Sequence, residues 1–218
     1  ELLDKAFARG RESRVDYAQH GELVVRARAM MASKQVQAFD HTQEDSATVA
    51  SYGETPFGRS CLVARRLVET GVPAVEVSLG GWDSHANNHD VHAKLATVLD
   101  QGFSALLDDL AQRNRLDSTL ILCCGEFGRT PRINALDGRD HWTRGFSVLM
   151  AGGGLRTGLA VGETDPSGLR GPSNPVGVQD IFATVYERLG INRTQVFESD
   201  QGRPAPLNRG TPIKQLLA

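Results

Sequence analysis

The segment Gly80-Gly-Trp-Asp-Ser-His-Ala-Asn-Asn-His89 gathers one carboxylate, two imidazoles and two amides into a single short stretch, and His92 follows close behind. Further along, Gly125-Glu-Phe-Gly-Arg-Thr-Pro131 and Gly138-Arg-Asp-His-Trp142 contribute Glu126, Arg129, Thr130, Asp140 and His141. Carboxylate and imidazole donors from separate loops are what a divalent zinc, manganese or iron ion requires. A guanidinium beside a hydroxyl, at Arg129 and Thr130, suits an anion. Each piece also has a structural reading. Asp83 and His85 could cap a turn and the helix after it, and His141 could simply occupy a turn. Glu126, directly after an apolar run, needs a partner if it is buried, and Arg129 could supply one. His20 and His41 fall in a helical region and read as surface residues.

These loops need elements to carry them. Ala74–Leu79 (AVEVSL), bounded by Pro73 and Gly80-Gly81, reads as a strand, and Leu120–Cys124 (LILCC) as a central strand covered on both faces. Phe146–Ala151 reads as a third strand, with Gly152-Gly-Gly154 as a tight turn. Without a following helix pattern or a Lys, those glycines do not make a phosphate-binding loop. Apolar spacing near 3.6 predicts helices over Val91–Arg113 and Val178–Leu189, and upstream over Asp16–Ser33 and Arg59–Thr70. The last of these should bury Leu62, Val63, Leu67 and Val68. Alternating strand and helix predicts an α/β chain, a mostly parallel sheet with helices on both faces. The site loops would then lie beyond the carboxyl ends of the strands. The organisation changes near residue 72: a helical segment, 1–71, packs on an α/β core, 72–218, to form one domain overall.

Composition narrows the function class. The 218 residues are 40% apolar and 23% charged, which excludes a disordered chain. A net charge of -2 disfavours nucleic acid and polybasic membrane binding. There is no apolar run of about 18 residues and no signal-peptide pattern. Three cysteines, Cys61, Cys123 and Cys124, are too few and too poorly spaced for a disulfide framework or a zinc knuckle, and read as small buried hydrophobes. The chain begins at Glu1 without a methionine, so a processed product or a fragment is expected.

Taken in order, Tyr52-Gly-x-Thr-x-Phe-Gly58, Ala64-Arg-Arg-Leu-Val-Glu69, Gly80-Gly-Trp-Asp-Ser-His85, Glu126-Phe-Gly-Arg-Thr-Pro131, Gly138-Arg-Asp-His-Trp142 and Ala151-Gly-Gly-Gly154 resemble the DUF1501 family. That resemblance implies the alkaline phosphatase-like superfamily, with its sulfatases and phosphodiesterases. It is supported by the similarity of Asp180-Ile-Phe-Ala-Thr184 through Leu189-Gly-Ile191 to a C-terminal helix of those enzymes. It further implies metal-dependent hydrolysis of a small anionic phosphate or sulfate ester. Asp83 with His85 or His89, Glu126, and His141 would be metal ligands, and Glu126, Arg129 and Thr130 would serve catalysis. The ion would be zinc, manganese, calcium or iron. Phe127 stands where a ligand histidine would be, so one ion is expected in place of two. The superfamily's nucleophile strand is not visible upstream, so the chain reads as a C-terminal portion of the full fold. A non-catalytic binding or scaffold protein is the alternative. The resemblance also points to an exported protein, periplasmic or extracellular.

Overall fold

The structure, a computed structural model, describes residues 15–199 and 201–217. Side chains at 15–20 and 34 lie outside the described set, as do the first fourteen residues of the expected helical segment and the side chain of His20. The chain forms two compact units that divide between Val77 and Ser78.

The first unit is helical, with α1 (Val15–Met31), α2 (Ser46–Tyr52) and α3 (Pro56–Glu69), and short 3-10 turns at Lys34–Phe39 and His41–Gln43. Helix α3 starts where its sequence says it should. Thr55 caps it by accepting from the Gly58 amide at 3.0 Å, and Pro56 fills the first helical position, where a missing N–H costs nothing. Its buried face differs from the expected one. Phe57, Cys61, Leu62, Ala64 and Arg65 are buried, whereas Val63, Leu67 and Val68 are only half-buried. The rotation follows Arg65, whose fully covered guanidinium lies 2.7 Å from Glu44 and 2.6 Å from Glu69. Burial works to raise the Glu44 carboxyl, but hydrogen bonds and charge from Arg65 and then Arg66 outweigh it and leave the group below its ordinary value. Three ion pairs among two acids and two arginines thus take part of the face that aliphatic spacing alone would assign to the core.

The second unit contains α4 (Asn88–Gln112), β1 (Leu120–Cys123), β2 (Gly128–Arg129), β3 (His141–Trp142), β4 (Leu149–Gly152), α5 (Val178–Arg188), β5 (Val196–Glu198) and β6 (Pro204–Pro206). The expected α/β architecture, a mostly parallel sheet with helices on both faces, is corrected here. Among the described residues the strands form three two-stranded antiparallel ladders, β1 with β4, β2 with β3 and β5 with β6. The cause lies in the connection. A parallel pair needs a crossover, usually helical, and between β1 and β4 the chain has no helix, only loops and the β2–β3 ladder. It therefore reverses, pairing Leu120 with Gly152 and Cys123 with Leu149. Strand β1 is half-buried along its length and not covered on both faces. Ala74–Leu79 joins no ladder, although Val75, Val77 and Leu79 are half-buried in alternation with exposed neighbours.

The buried residues of this unit include Ala105 and Leu110 of α4, Leu155, and Ala183 and Thr184 of α5. Thr184 is fully buried and satisfied, donating to the Asp180 carbonyl at 2.7 Å and accepting from the Ile213 amide at 2.9 Å. The expected turn after β4 is present. Gly152, Gly153 and Gly154 all have φ between 57° and 68°, a region costly to any residue with a Cβ. Of the cysteines, all free, only Cys61 is buried, and Cys124 is exposed.

Candidate metal centre

Two loops of the second unit build the site. The first runs from Trp82 into α4, and the second from β2 to β3. Asn87 precedes α4 in a left-handed conformation (φ 47°) and offers no side-chain cap. Instead the Asn87 and Asn88 amides donate to the carbonyls of Leu136 and Asp137, each at 3.0 Å. Amides at a helix start need acceptors, and here the second loop supplies them. Asn134 locks that loop. Its Oδ1 accepts from the Leu136 amide (2.9 Å) and the Gly138 amide (3.0 Å), and its Nδ2 donates to the His85 carbonyl at 3.0 Å and to Asp140 Oδ1 at 3.3 Å. Gly138 lets the loops touch, since a Cβ there would stand 1.8 Å from the His85 carbonyl oxygen.

This docking brings Asp83, His85 and His141 together. His141 Nε2 lies 2.9 Å from Asp83 Oδ1, His85 Nε2 lies 3.1 Å from the same oxygen, and the two Nε2 atoms are 3.2 Å apart. His85 Nδ1 lies 3.0 Å from Asp140 Oδ1, so a carboxylate oxygen stands beside each nitrogen of this ring. One carboxylate oxygen and two imidazole nitrogens converge at the centre, and with both histidines neutral each can give an electron pair to a cation. Ligand atoms about 2.0–2.1 Å from a tetrahedral zinc stand roughly 3.3 Å from one another, so these spacings fit such an ion with little rearrangement. A set of three protein ligands also leaves a coordination position open, as hydrolytic zinc sites do.

Arg129 organises the first loop. Its Nη2 donates to Asp83 Oδ1 and to the Trp82 carbonyl (3.1 Å), and its Nη1 donates to the Arg139 carbonyl at 3.2 Å. The Trp82 carbonyl also lies 2.9 Å from His92 Nε2, and the Trp82 and His92 rings meet edge-on with centroids 5.1 Å apart. The hydrogen bond from Arg129, then that from His141, holds the Asp83 carboxyl well below the usual carboxylate range. Hydrogen bonds from His85 and then Asn134 lower Asp140. Phe127 packs on His141 with centroids 4.4 Å apart, and Arg144 lies over Trp142 at 5.6 Å.

Of the residues expected from the sequence, Asp83, His85 and His141 form the cluster, all exposed. His89 is exposed on the first turn of α4, outside the cluster. Glu126 is also exposed and outside it, so no buried charge demands a partner there. Thr130 pins the loop, its hydroxyl donating to the Arg132 carbonyl at 2.8 Å and accepting from the Asp140 amide at 3.0 Å. Asn134 and the His85-facing role of Asp140 are additions that only the folded loops make visible.

The comparisons agree with the motif order. No curated protein and no solved structure matches the chain significantly. Residues 2–217 match the family described as "Protein of unknown function (DUF1501)". With nearly every residue inside that match, the chain belongs to the DUF1501 family.

Proposed function

We propose that this protein is a metal-dependent hydrolase of small phosphate or sulfate esters. The observation that supports it most is the convergence of Asp83 Oδ1, His85 Nε2 and His141 Nε2 within 2.9–3.2 Å of one another. Kinship with the alkaline phosphatase-like enzymes belongs to the same proposal, and rests on these loops and not on sheet topology. A divalent ion held by the three residues would supply Lewis-acid polarisation of an ester oxygen. Asp83, His85 and His141 bind. Arg129 neutralises Asp83 and holds its loop, leaving the charge of Asp140 as the site's surplus, so a divalent ion turns the balance positive and favours an anionic ester. The Ser84 hydroxyl accepts from Asn88 Nδ2 and the Thr130 hydroxyl holds the loop backbone, so water is assigned as the attacking group. Glu126, one residue before the Phe127 that packs on His141, is assigned to accept a proton.

Titration of the chelator-treated full chain with zinc and with manganese in a calorimeter tests the reading. One ion per chain is expected. His85→Ala and His141→Ala should each weaken affinity at least about tenfold, the scale set by supporting-residue losses in known sites, and His89→Ala should leave it unchanged. A chain that binds neither ion would overturn the reading. Hydrolysis of aryl phosphate and aryl sulfate esters by the loaded protein then separates an enzyme from a binding protein.

A further inference from the structure

We infer that Cys123 and Cys124 form a redox-sensitive modification site, a pair of adjacent thiols that a small-molecule disulfide converts reversibly into an intrachain disulfide. The inference does not depend on the functional reading above.

The two thiols stand at the open end of a ladder. Cys123 is the last residue of β1 and pairs with Leu149, while Cys124 follows it outside the ladder. Successive strand residues point to opposite faces, so the chain must turn at Cys124 before the sulfurs meet. Its surroundings permit that turn. Among the described residues no strand pairs with Cys124, and nothing lies within 4 Å of where a Cβ would stand on Gly125. Cys124 is exposed and Cys123 half-buried, and both are free. Burial, and then the charge of Cys124, pushes the Cys123 thiol up from its ordinary value. The exposed thiol therefore reacts first and the covered one second. Cys61, only 2% exposed, is shielded from the same reagent.

The electrons and protons balance in two exchanges. The Cys124 thiolate attacks oxidised glutathione, forms a mixed disulfide and releases one glutathione. The Cys123 thiolate then attacks Cys124 Sγ, breaks the mixed bond and releases the second. The chain loses two hydrogens and two electrons, and one glutathione disulfide becomes two thiols. Neighbouring α-carbons stand about 3.8 Å apart, short of the roughly 4.4–6.8 Å that disulfides prefer. The ring so closed is strained, and a strained disulfide is readily reduced. That strain makes the bond a reversible modification and not a structural staple.

The test treats the reduced full-length chain with oxidised glutathione, alkylates the remaining thiols and weighs the tryptic peptide 116–129, which holds both cysteines. The wild type should show this peptide lighter by two hydrogens and unalkylated, with Cys61 alkylated, and dithiothreitol should restore both thiols. Cys123→Ser should stop at glutathione attached to Cys124, and Cys124→Ser should form no internal bond. Phenylarsine oxide, which bridges two thiols with loss of water, gives a second reading on the untreated wild type. One arsenical per chain is expected, lost in either serine variant. A wild type that stops at the glutathione adduct, or that leaves the arsenical unbound, would overturn the inference without reference to any variant.

Discussion

Asp83 and Asp140 are both exposed and both held below the ordinary carboxylate range, Asp83 chiefly by Arg129 and Asp140 chiefly by His85. The sign of their effect on stability follows from linkage. Each carboxyl is more acidic folded than unfolded, where it titrates near about 3.9. Their contribution is therefore fully present above that value and disappears as pH falls through the folded values. Urea midpoints measured down a pH series should decline below about pH 4, and Asp140→Asn should flatten part of that decline. Both groups face solvent, so salt should shrink the effect. A variant that declined as steeply as the wild type would show that Asp140 does not contribute.

At the scale of elements, the site is a docking of two loops, and its tolerance is set by backbone contact. Gly138 is the tightest point, with the His85 carbonyl oxygen where a Cβ would go. Gly138→Ala must push the second loop off the start of α4, breaking the amide contacts of Asn87 and Asn88 to Leu136 and Asp137. The expected outcome is near-normal helix content by circular dichroism with metal affinity reduced about tenfold or more, whereas the same change at Gly80, where nothing lies within 4 Å of a Cβ, should leave affinity intact. This scale also explains what was legible in the sequence. Asp83, His85 and His141 could be picked out because residue type and local spacing mark them. Choosing His85 over His89 required knowing where α4 begins, since His89 lies on its first turn. Asn134 carries no local signature, because its meaning comes from contacts to His85 and Asp140 across the fold. The parallel sheet failed because strand-like runs encode a period and not a partner. Only the absence of a crossover between Cys123 and Leu149 decides the direction of pairing.

For the whole molecule, the ligand set joins residues 58 positions apart, Asp83 and His141, within the unit that begins at Ser78. Such a set does not persist in an unfolded chain, so an ion binds the native state and raises its stability by mass action, by about 2.7 kcal/mol at a hundred times the dissociation constant. The thermal midpoint should therefore climb with added zinc, return on chelation, and stay nearly flat in His141→Ala. The helical unit, with its Arg65–Glu44–Glu69 ion pairs, was readable as helix but not as to which face is buried, because spacing cannot announce that an arginine enters a core.

Trp82 and Trp142 are the only two tryptophans in the sequence, and they immediately precede and follow the ligands Asp83 and His141. All indole fluorescence of this protein therefore arises beside the candidate centre. Excited at the red edge of its absorption, where tyrosine is silent, the intact chain carries its own optical gauge of that spot, one that a paramagnetic ion such as copper should quench and a closed-shell ion such as zinc should perturb far less.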